Sequence, residues 1–494
     1  MAEDQDDSLK EECGVLGLYT PEQDAARVAF FGLFALQHRG QESAGIAVSD
    51  GSKVRMHKDV GLVAHVFDNE NALRKRLPGH MAVGHTRYST TGGSVRPNAG
   101  PIFCQSQVGD VAVAHNGNLI NAVELREKMI AEGEVFVTTS DSEVLARILV
   151  RHLQDGPEKA VAEVMAQVKG AYSVTALTPT MVIGFRDPNG IRPLVTGHLS
   201  DGGFMIASET CAIRTVGGVP GNEVRPGELI VVDKSGVRTS RVVAKAQENM
   251  CLFEFIYFAR PDSHMYDRLL YSVRERMGEE LAKEHPVTAD VVVPVPDSGI
   301  PAALGYSRIS GIPYREGMMK SRYIHRTFIQ PDQKMRDLGV RMKLLPLVEH
   351  IQGKRVVLVD DSIVRGTTTK NIVSLLYDAG ASEVHVRITA PPIKHPCFYG
   401  IDMASKGELA SAVLSHKELE AKIGASTLGF LSIEGAVRAT GRPQTSFCLA
   451  CFNGKYPIPV PKELKKNAFE KPPDTGEFST VSLGQLPLLE VTGV

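Results

Sequence analysis

Apolar and polar positions follow two different rhythms along this chain, and the change falls near residue 251. In VAVAHNGNLI (111–120) apolar and small residues alternate up to Asn116 and Gly117, which predicts a strand entering a tight turn. SDSEVLARILVRHLQ (140–154) sets Val144, Leu145, Ile148 and Leu149 in one stripe behind Ser140 or Asp141 as N-cap, which predicts a helix. AYSVTALTPTMVIGFRD (171–187) predicts two successive strands. The first half is therefore mixed and β-rich. Beyond residue 251, residues 266–283 carry Leu269, Leu270, Val273, Met277 and Leu281 on one side of a predicted helix. ADVVVPVPDSG (289–299) and KRVVLVDDS (354–362) predict buried strands. A helix over 367–378, stopped by Gly380, and a third strand, EVHVRITA (383–390), follow. Strand, helix and strand at this spacing predict a parallel sheet with right-handed crossovers. Ligands of such sheets sit at the carboxyl ends of the strands, where residues 297–299 and 360–368 fall. Residues 320–344 are basic and poorly periodic: a surface excursion, or a mobile cationic loop beside a phosphate site. The stretch after Pro459 is polar and Pro-containing and predicts a loose tail.

Length then sets the scale. At 494 residues the chain exceeds one ordinary core of about 100–200 residues, so two large domains are expected. A formal charge of −2 supplies no basic field for nucleic acid. No apolar run reaches the roughly 20 residues that cross a membrane. The opening MAEDQDDSLKEE is acidic and lacks an apolar core, unlike a secretory or transit peptide, which makes the cytoplasm the expected location. Seven scattered cysteines argue for free, reactive or metal-bound thiols rather than a disulfide framework.

Chemistry concentrates in three places. In VVLVDDSIVRGTT (356–368) an apolar strand runs into an acid pair, then Ser, Arg, Gly and two Thr. Gly366 allows a tight turn that brings N–H groups towards an anion. Thr367 and Thr368 add hydroxyls and start a helix whose N-terminus favours phosphate. Asp360 and Asp361 suit ribose hydroxyls or a Mg2+ that also ligates pyrophosphate. An acid pair alone is commonly an N-cap with a solvated neighbour; it is the order of the whole string that points to a ligand. This string, with Ser362 and Arg365, resembles the phosphoribosyl pyrophosphate motif of type I phosphoribosyltransferases, and that resemblance implies Mg2+.

The second place is made of EECGVLGL (11–18), LQHRGQESAG (36–45), GHTRYSTTG (84–92), AHNGNL (114–119) and TSDSE (139–143). A Cys before an apolar strand is usually a core residue; its surroundings make Cys13 a candidate. A thiolate attacking a side-chain amide needs a base and oxyanion donors. Arg87 suits a substrate carboxylate by its fork, Asp141 an ammonium, and the Asn116 amide with the Gly117 N–H an oxyanion. These strings resemble the N-terminal-nucleophile glutamine amidotransferases. Together with 356–368 they resemble, from about residue 11 to about residue 457, the glutamine-dependent amidotransferases that act on phosphoribosyl pyrophosphate at the start of purine synthesis.

The resemblance implies an N-terminal αββα sandwich, α+β in class, followed by an α/β phosphoribosyltransferase domain. The expected division is a propeptide (1–12), a glutaminase domain (13–245), a phosphoribosyltransferase domain (246–458) and a tail (459–494). It implies that Cys13 becomes the first residue of the mature enzyme. An α-amino group, with a pKa of about 7.7–8.0, can then take the thiol proton. Arg39, Arg87 and Asp141 would serve glutamine, Arg39 by ordering the site, and Asn116 and Gly117 the oxyanion. Ser298, Asp360 and Asp361 would hold one Mg2+. His38, His85 and His115 read as hydrogen-bonding supports rather than bases.

The third place is a C-x-x-C, Cys448 and Cys451, which alone fits zinc, a redox pair or coincidence. With Cys251 and Cys397 it lies in strings that resemble the iron–sulfur, propeptide-processed branch, implying one [4Fe–4S] cluster; spacing alone equally permits Zn2+. Cys104 and Cys211 read as ordinary thiols. The family also implies purine nucleotide feedback, a homotetramer, and a dry path for ammonia completed by residues 320–344. A nucleotide sensor on a phosphoribosyltransferase fold, or a glutaminase serving another subunit, are the competing readings; the Cys13 strings oppose the first and DDSIVRGTT the second.

Overall fold

The computed structural model describes residues 13–460 except 22–23, 89–92, 108, 322–343 and 404–405, and leaves out the side chains of 70–72. The expected propeptide 1–12, most of the 320–344 excursion and the tail beyond 460 lie outside the described residues.

Two antiparallel sheets stack in the first half. One has the order Val219–Glu223, Val195–His198, Phe204–Ala207, Gly14–Tyr19, Met81–Arg87, Ser43–Ser49 and Val54–Val60. The other runs Gly236–Arg241, Glu228–Asp233, Met181–Arg186, Gly170–Leu177, Gly109–Leu119 and Ile102–Ser106. Val15, Val83, Ala112, Ala114, Val182 and Ile206 fill the space between them. Glycine sets how closely the sheets approach: a Cβ on Gly184 would lie 2.6 Å from Ile206 Cδ1. The outer faces are covered by helices. Ala25–Ala35 lays Leu33 over Leu16 and Ile46. Asp141–His152 lays the predicted stripe of Val144, Leu145, Ile148 and Leu149 against Val111 and Val174. The layer order is αββα, as expected. Ser140 is the N-cap, its hydroxyl accepting from the Ser142 N–H at 3.3 Å.

The tight turn expected at Asn116 and Gly117 is absent. Strand Gly109–Leu119 continues through it, with Asn116 opposite Ser173 and Gly117 opposite Tyr172. An Asn–Gly pair signals a hairpin only when nothing else requires the glycine. Here Gly117 has φ +143°, and a Cβ on it would lie 1.9 Å from the Ala171 carbonyl oxygen. The close neighbouring strand uses the glycine that local chemistry would assign to a turn.

The second half forms a parallel sheet in the order Val291–Pro294, Arg355–Asp360, Glu383–Ile388, Thr427–Phe430. Helix Thr367–Asp378 follows the second strand, and Gly380 beyond its end adopts φ +90°. The helix expected from residue 266 begins instead at Leu270 and ends at Glu284. Tyr266 and Asp267 adopt φ +48° and +61° in a two-residue turn. Tyr266 is held there from outside: its hydroxyl accepts from Arg186 at 2.9 Å, and Arg442 lies 4.4 Å over its ring. Tertiary anchoring overrides a helical pattern whose apolar stripe begins only at Leu269.

Helices Leu270–Glu284 and Ile300–Ser310 cross at two glycines. A Cβ on Gly278 would lie 1.8 Å from Ala302 O, and one on Gly305 1.9 Å from Glu275 O. Because backbone blocks both, Gly278→Ala is expected to destabilise the second domain by about 1–3 kcal/mol. A lowered urea midpoint at unchanged m-value would register it; an unshifted midpoint would contradict it.

The core of the second half takes in Ile120, Ala171 and Ile191 from the first. The sandwich and the parallel-sheet domain therefore share an apolar seam.

Candidate active site

Cys13 lies immediately before strand Gly14–Tyr19, which pairs antiparallel with Met81–Arg87 so that Gly14 faces Thr86. This register brings Cys13 to the end of the strand that carries Arg87. The thiol is buried and donates weakly to Tyr88 O at 3.5 Å. Burial pushes it up to about 11, against a downward pull from Arg87 and an upward push from Asp141 and Glu42. All three charges therefore act on one sulfur. Asp141 sits in the first turn of its helix, where a carboxylate is favoured, and accepts the Leu119 N–H at 3.0 Å. That bond ties it to the end of the strand bearing Asn116 and Gly117.

Asn116 is buried, yet among the described residues neither its side-chain oxygen nor its nitrogen has a partner. Leaving an amide so costs about 1–3 kcal/mol, which a ligand oxygen would recover. Two of the three histidines behave as the expected supports; the ring nitrogens of His85 have no hydrogen-bond partner among the described residues, because the buried ring is enclosed without a polar neighbour in hydrogen-bonding geometry. His38 bonds Ala35 O at 3.2 Å and Glu209 at 2.7 Å, and His115 bonds the Ser142 hydroxyl at 3.0 Å. Burial, with Arg87 nearby, holds His85 well below the usual histidine range and keeps it neutral.

Arg39 is fully buried beside this site. Its Nε donates to Cys13 O at 3.2 Å, and its terminal nitrogens reach Glu209 at 2.6 Å and Glu254 at 2.6 Å. Burying such a group without its partners would cost about 3–5 kcal/mol. Glu209, Glu254 and Arg192 escaped the sequence reading. Glu254 did leave a signal: it is a lone acid in the apolar run MCLFEFIYF, and a charge in such a run must find a partner.

The acid pair ends the strand Arg355–Asp360. Asp360 and Asp361 are both buried, and burial with the neighbouring Asp361 holds Asp360 well above the usual carboxylate range. The Asp361 N–H donates to Asp360 Oδ1 at 2.9 Å, and the Ser362 hydroxyl to Asp361 Oδ2 at 2.6 Å. Gly366, at φ +84°, caps helix Thr367–Asp378 without a side-chain bond, leaving Thr367 and Thr368 exposed at its positive end. Arg365 contacts Glu408 at 3.3 Å. The turn bearing Ser298 lies alongside: Val295 N–H donates to Val359 O at 2.8 Å, and a Cβ on Gly299 would lie 2.4 Å from that same oxygen. Ser298 and the two acids offer only oxygen donors, the set Mg2+ prefers.

A cavity of about 330 Å³ joins the two halves. His38 and Arg39 line it from the first domain, and Arg274, Asp297, Ser298 and Lys320 from the second. Lys320 pairs with Asp297 at 3.0 Å.

The four cysteines also come together. Cys251 faces Cys448 across a short parallel pairing. Cys451 O accepts from Lys394 and His395, and Cys397 Sγ accepts the Tyr399 N–H at 3.4 Å. Burial pushes the Cys448 and Cys451 thiols up, and Cys251 and Cys397 push the same way. None is in a disulfide. Among the described residues, no three such side chains meet as closely as one ion requires. Four neighbouring thiols, Cys251 and Cys448 buried and Cys397 and Cys451 half-buried, make a sulfur donor set that fits an iron–sulfur cluster or zinc. Cys104 and Cys211 lie apart from them, buried in the two helix–sheet cores.

Comparison with known proteins agrees with this division. A glutamine amidotransferase domain model matches residues 85–215, and a phosphoribosyl transferase domain model residues 266–395. The amidophosphoribosyltransferase of Synechococcus elongatus is 49% identical over 466 residues, covering 93% of this chain and 94% of that protein. A solved structure of the allosteric regulatory enzyme of purine biosynthesis superposes with a TM-score of 0.86 at 45% identity, covering 91% of this chain and 97% of the other. The glutamine phosphoribosylpyrophosphate amidotransferase of B. subtilis, complexed with ADP and GMP, gives 0.85 at 44%, covering 91% and 98%.

Proposed function

The chain belongs to the amidophosphoribosyltransferase family, and from that premise we propose that it transfers glutamine-derived ammonia to 5-phosphoribosyl 1-pyrophosphate, giving 5-phosphoribosylamine, glutamate and pyrophosphate. This is the first committed step of purine nucleotide synthesis. The observation that carries the reading is the cavity lined by Arg39 on one side and Ser298 on the other. Arg39 donates to the Cys13 carbonyl at 3.2 Å, and the turn bearing Ser298 is bonded to the strand that ends in the acid pair, Val295 N–H to Val359 O at 2.8 Å, so the cavity lies between the two sites.

In the first half-reaction the Cys13 sulfur attacks the glutamine amide carbon. The Asn116 amide and Gly117 N–H receive the developing oxyanion, and Arg87 and Asp141 hold the substrate's carboxylate and ammonium. The C–N bond breaks, ammonia leaves with the thiol proton, and water hydrolyses the thioester to glutamate. In the second, the ammonia lone pair displaces pyrophosphate at the sugar C1. Asp360, Asp361, Ser362, Arg365, Gly366, Thr367 and Thr368 bind the ribose and phosphates. A Mg2+ held by Ser298, Asp360 and Asp361 would neutralise the departing pyrophosphate. Protonated ammonia is not a nucleophile, so a dry passage between the sites is required.

Residues 1–12 form a propeptide, because the Cys13 nitrogen is an amide until that segment is removed. The four cysteines hold a [4Fe–4S] cluster that ties residues 251 and 397 to 448–451. The domains divide at 12, 245 and 458. The enzyme is a cytoplasmic homotetramer under purine nucleotide feedback; no helix among the described residues is long and apolar enough to cross a membrane.

The deciding assay is glutamate release with and without phosphoribosyl pyrophosphate. Strong dependence on it is expected, and an uncoupled glutaminase would overturn the reading. Intact mass should begin at Cys13 in active enzyme; an active preparation that retains residues 1–12 would remove the amine as base. Purified protein should be brown with about four irons per chain, by the four-thiolate rule for such clusters. A colourless, zinc-loaded protein would replace iron with zinc.

A further inference from the structure

Cys13 is held from behind by a chain of buried charges that begins in the other domain. Its carbonyl oxygen accepts from Arg39 Nε at 3.2 Å. Arg39 reaches Glu254 twice, at 2.6 and 3.1 Å. Glu254 in turn receives Arg192 Nη1 at 3.4 Å, and Arg192 Nε donates to Tyr399 O at 2.8 Å. Arg39, Arg192 and Glu254 are each essentially inaccessible. Tyr399 lies two residues from Cys397, whose Sγ accepts the Tyr399 N–H at 3.4 Å.

The same short segment also touches the oxyanion strand. Asn118 Nδ2 donates to Phe398 O at 3.0 Å, and a Cβ on Gly400 would lie 2.9 Å from Gly117 Cα. Residues 398–400 thus meet the glutaminase site along two routes. One runs directly onto Asn118 and Gly117, next to Asn116. The other runs through Arg192, Glu254 and Arg39 to the Cys13 backbone.

We propose that Glu254 and Arg192 are positioning residues for the glutaminase half-reaction, relaying the placement of residues 397–400 in the second domain to the Cys13 main chain. The proposal rests on the reading of Cys13 as nucleophile. The physical reason is preorganisation: a nucleophile displaced by about 1 Å can lose a hundredfold in rate. Arg39 is gripped from two sides, by Glu209 and by Glu254. With Glu254 neutralised, its guanidinium can pivot about Glu209, and the Nε bond to Cys13 O goes with it. Both residues are buried and neither lines the cavity, so the effect is expected in turnover rather than binding.

The test uses the full, processed, metal-loaded enzyme carrying Glu254→Gln, with Glu254→Asp as the conservative variant. Three quantities are measured: glutaminase kcat and KM, ammonia-dependent synthesis, and the rate at which a glutamine-like diazoketone alkylates Cys13, followed by mass spectrometry. Glu254→Gln should lower glutaminase kcat and the alkylation rate together, each by about tenfold or more, as expected for lost preorganisation. KM for glutamine and ammonia-dependent synthesis should stay near the parent's, and Glu254→Asp should fall between. Unchanged kcat, or an equal fall of the ammonia-dependent rate, overturns the proposal. If Glu254→Gln does not accumulate as folded protein, Arg192→Lys is judged by the same criteria. A dead Cys13→Ala beside a fully active Glu254→Gln sinks the relay alone; an active Cys13→Ala sinks the nucleophile reading beneath it.

Discussion

Cys13→Ala is expected to abolish glutamine-dependent synthesis, by on the order of a thousandfold or more as for other excised nucleophiles, and to leave ammonia-dependent synthesis within about twofold, since the mutated side chain is not part of the second site. The split follows from the arrangement of the two sites. Cys13 belongs to the sandwich, while the acid pair and the helix N-terminus belong to the parallel sheet. Ammonia added from solution bypasses the first and uses the second. The buried thiol, pushed up to about 11, is protonated at neutral pH. Its hydrogen bond goes to the Tyr88 carbonyl, which cannot keep a proton. His38 and His115 are committed to Glu209 and Ser142. A released α-amino group at Cys13 is the base proposed for it. Retention of more than about one per cent of glutamine-dependent turnover, far above the residual left when a true nucleophile is lost, would assign the chemistry elsewhere.

The fold was legible wherever local pattern and tertiary demand agree. The stripe behind Ser140, the strands at 171–187 and the helix over 367–378 all appear, because each buries the face its sequence makes apolar. The reading failed at Asn116–Gly117 and at Tyr266, and for the same physical reason. In both places a distant partner, Ala171 O in one case and Arg186 with Arg442 in the other, decides a conformation that nearest neighbours misreport. The site was half legible. Side chains that meet a ligand are set by the ligand's chemistry, so the strings around Cys13, Arg87, Asn116 and Asp360 can be recognised one by one. Arg39, Glu254, Glu209 and Arg192 are instead set by pairings with one another and with main-chain oxygens far along the chain. Their pairings span from 62 to 215 residues of sequence, and no local pattern encodes them. What the sequence offered was the oddity of an acid at 254 within an apolar run.

Asp360→Asn is expected to lower synthesis with either nitrogen donor, by about 10²–10³-fold, the range found when a group that stabilises transition-state charge is removed. It is also expected to make the metal-free protein more stable rather than less. Both effects have one origin. Two carboxylates sit side by side, buried, at the end of a strand, where like charges repel and burial disfavours ionisation. No folding advantage accounts for such a pair; a bound cation or the ribose hydroxyls would. Asparagine keeps the shape and the Oδ1 that accepts the Asp361 N–H at 2.9 Å, so the backbone turn survives while the charge is lost. Glutamine and ammonia should suffer equally, since both supply the same nucleophile to the same carbon, in contrast to the split produced at Cys13. The measurement is a pair of rates with the two donors, together with a melting curve in the presence of a chelator. A variant that melts lower and keeps its activity would return the acid pair to an ordinary helix-capping role. One that melts higher and is inactive with both donors would place a function on the repulsion that the fold retains.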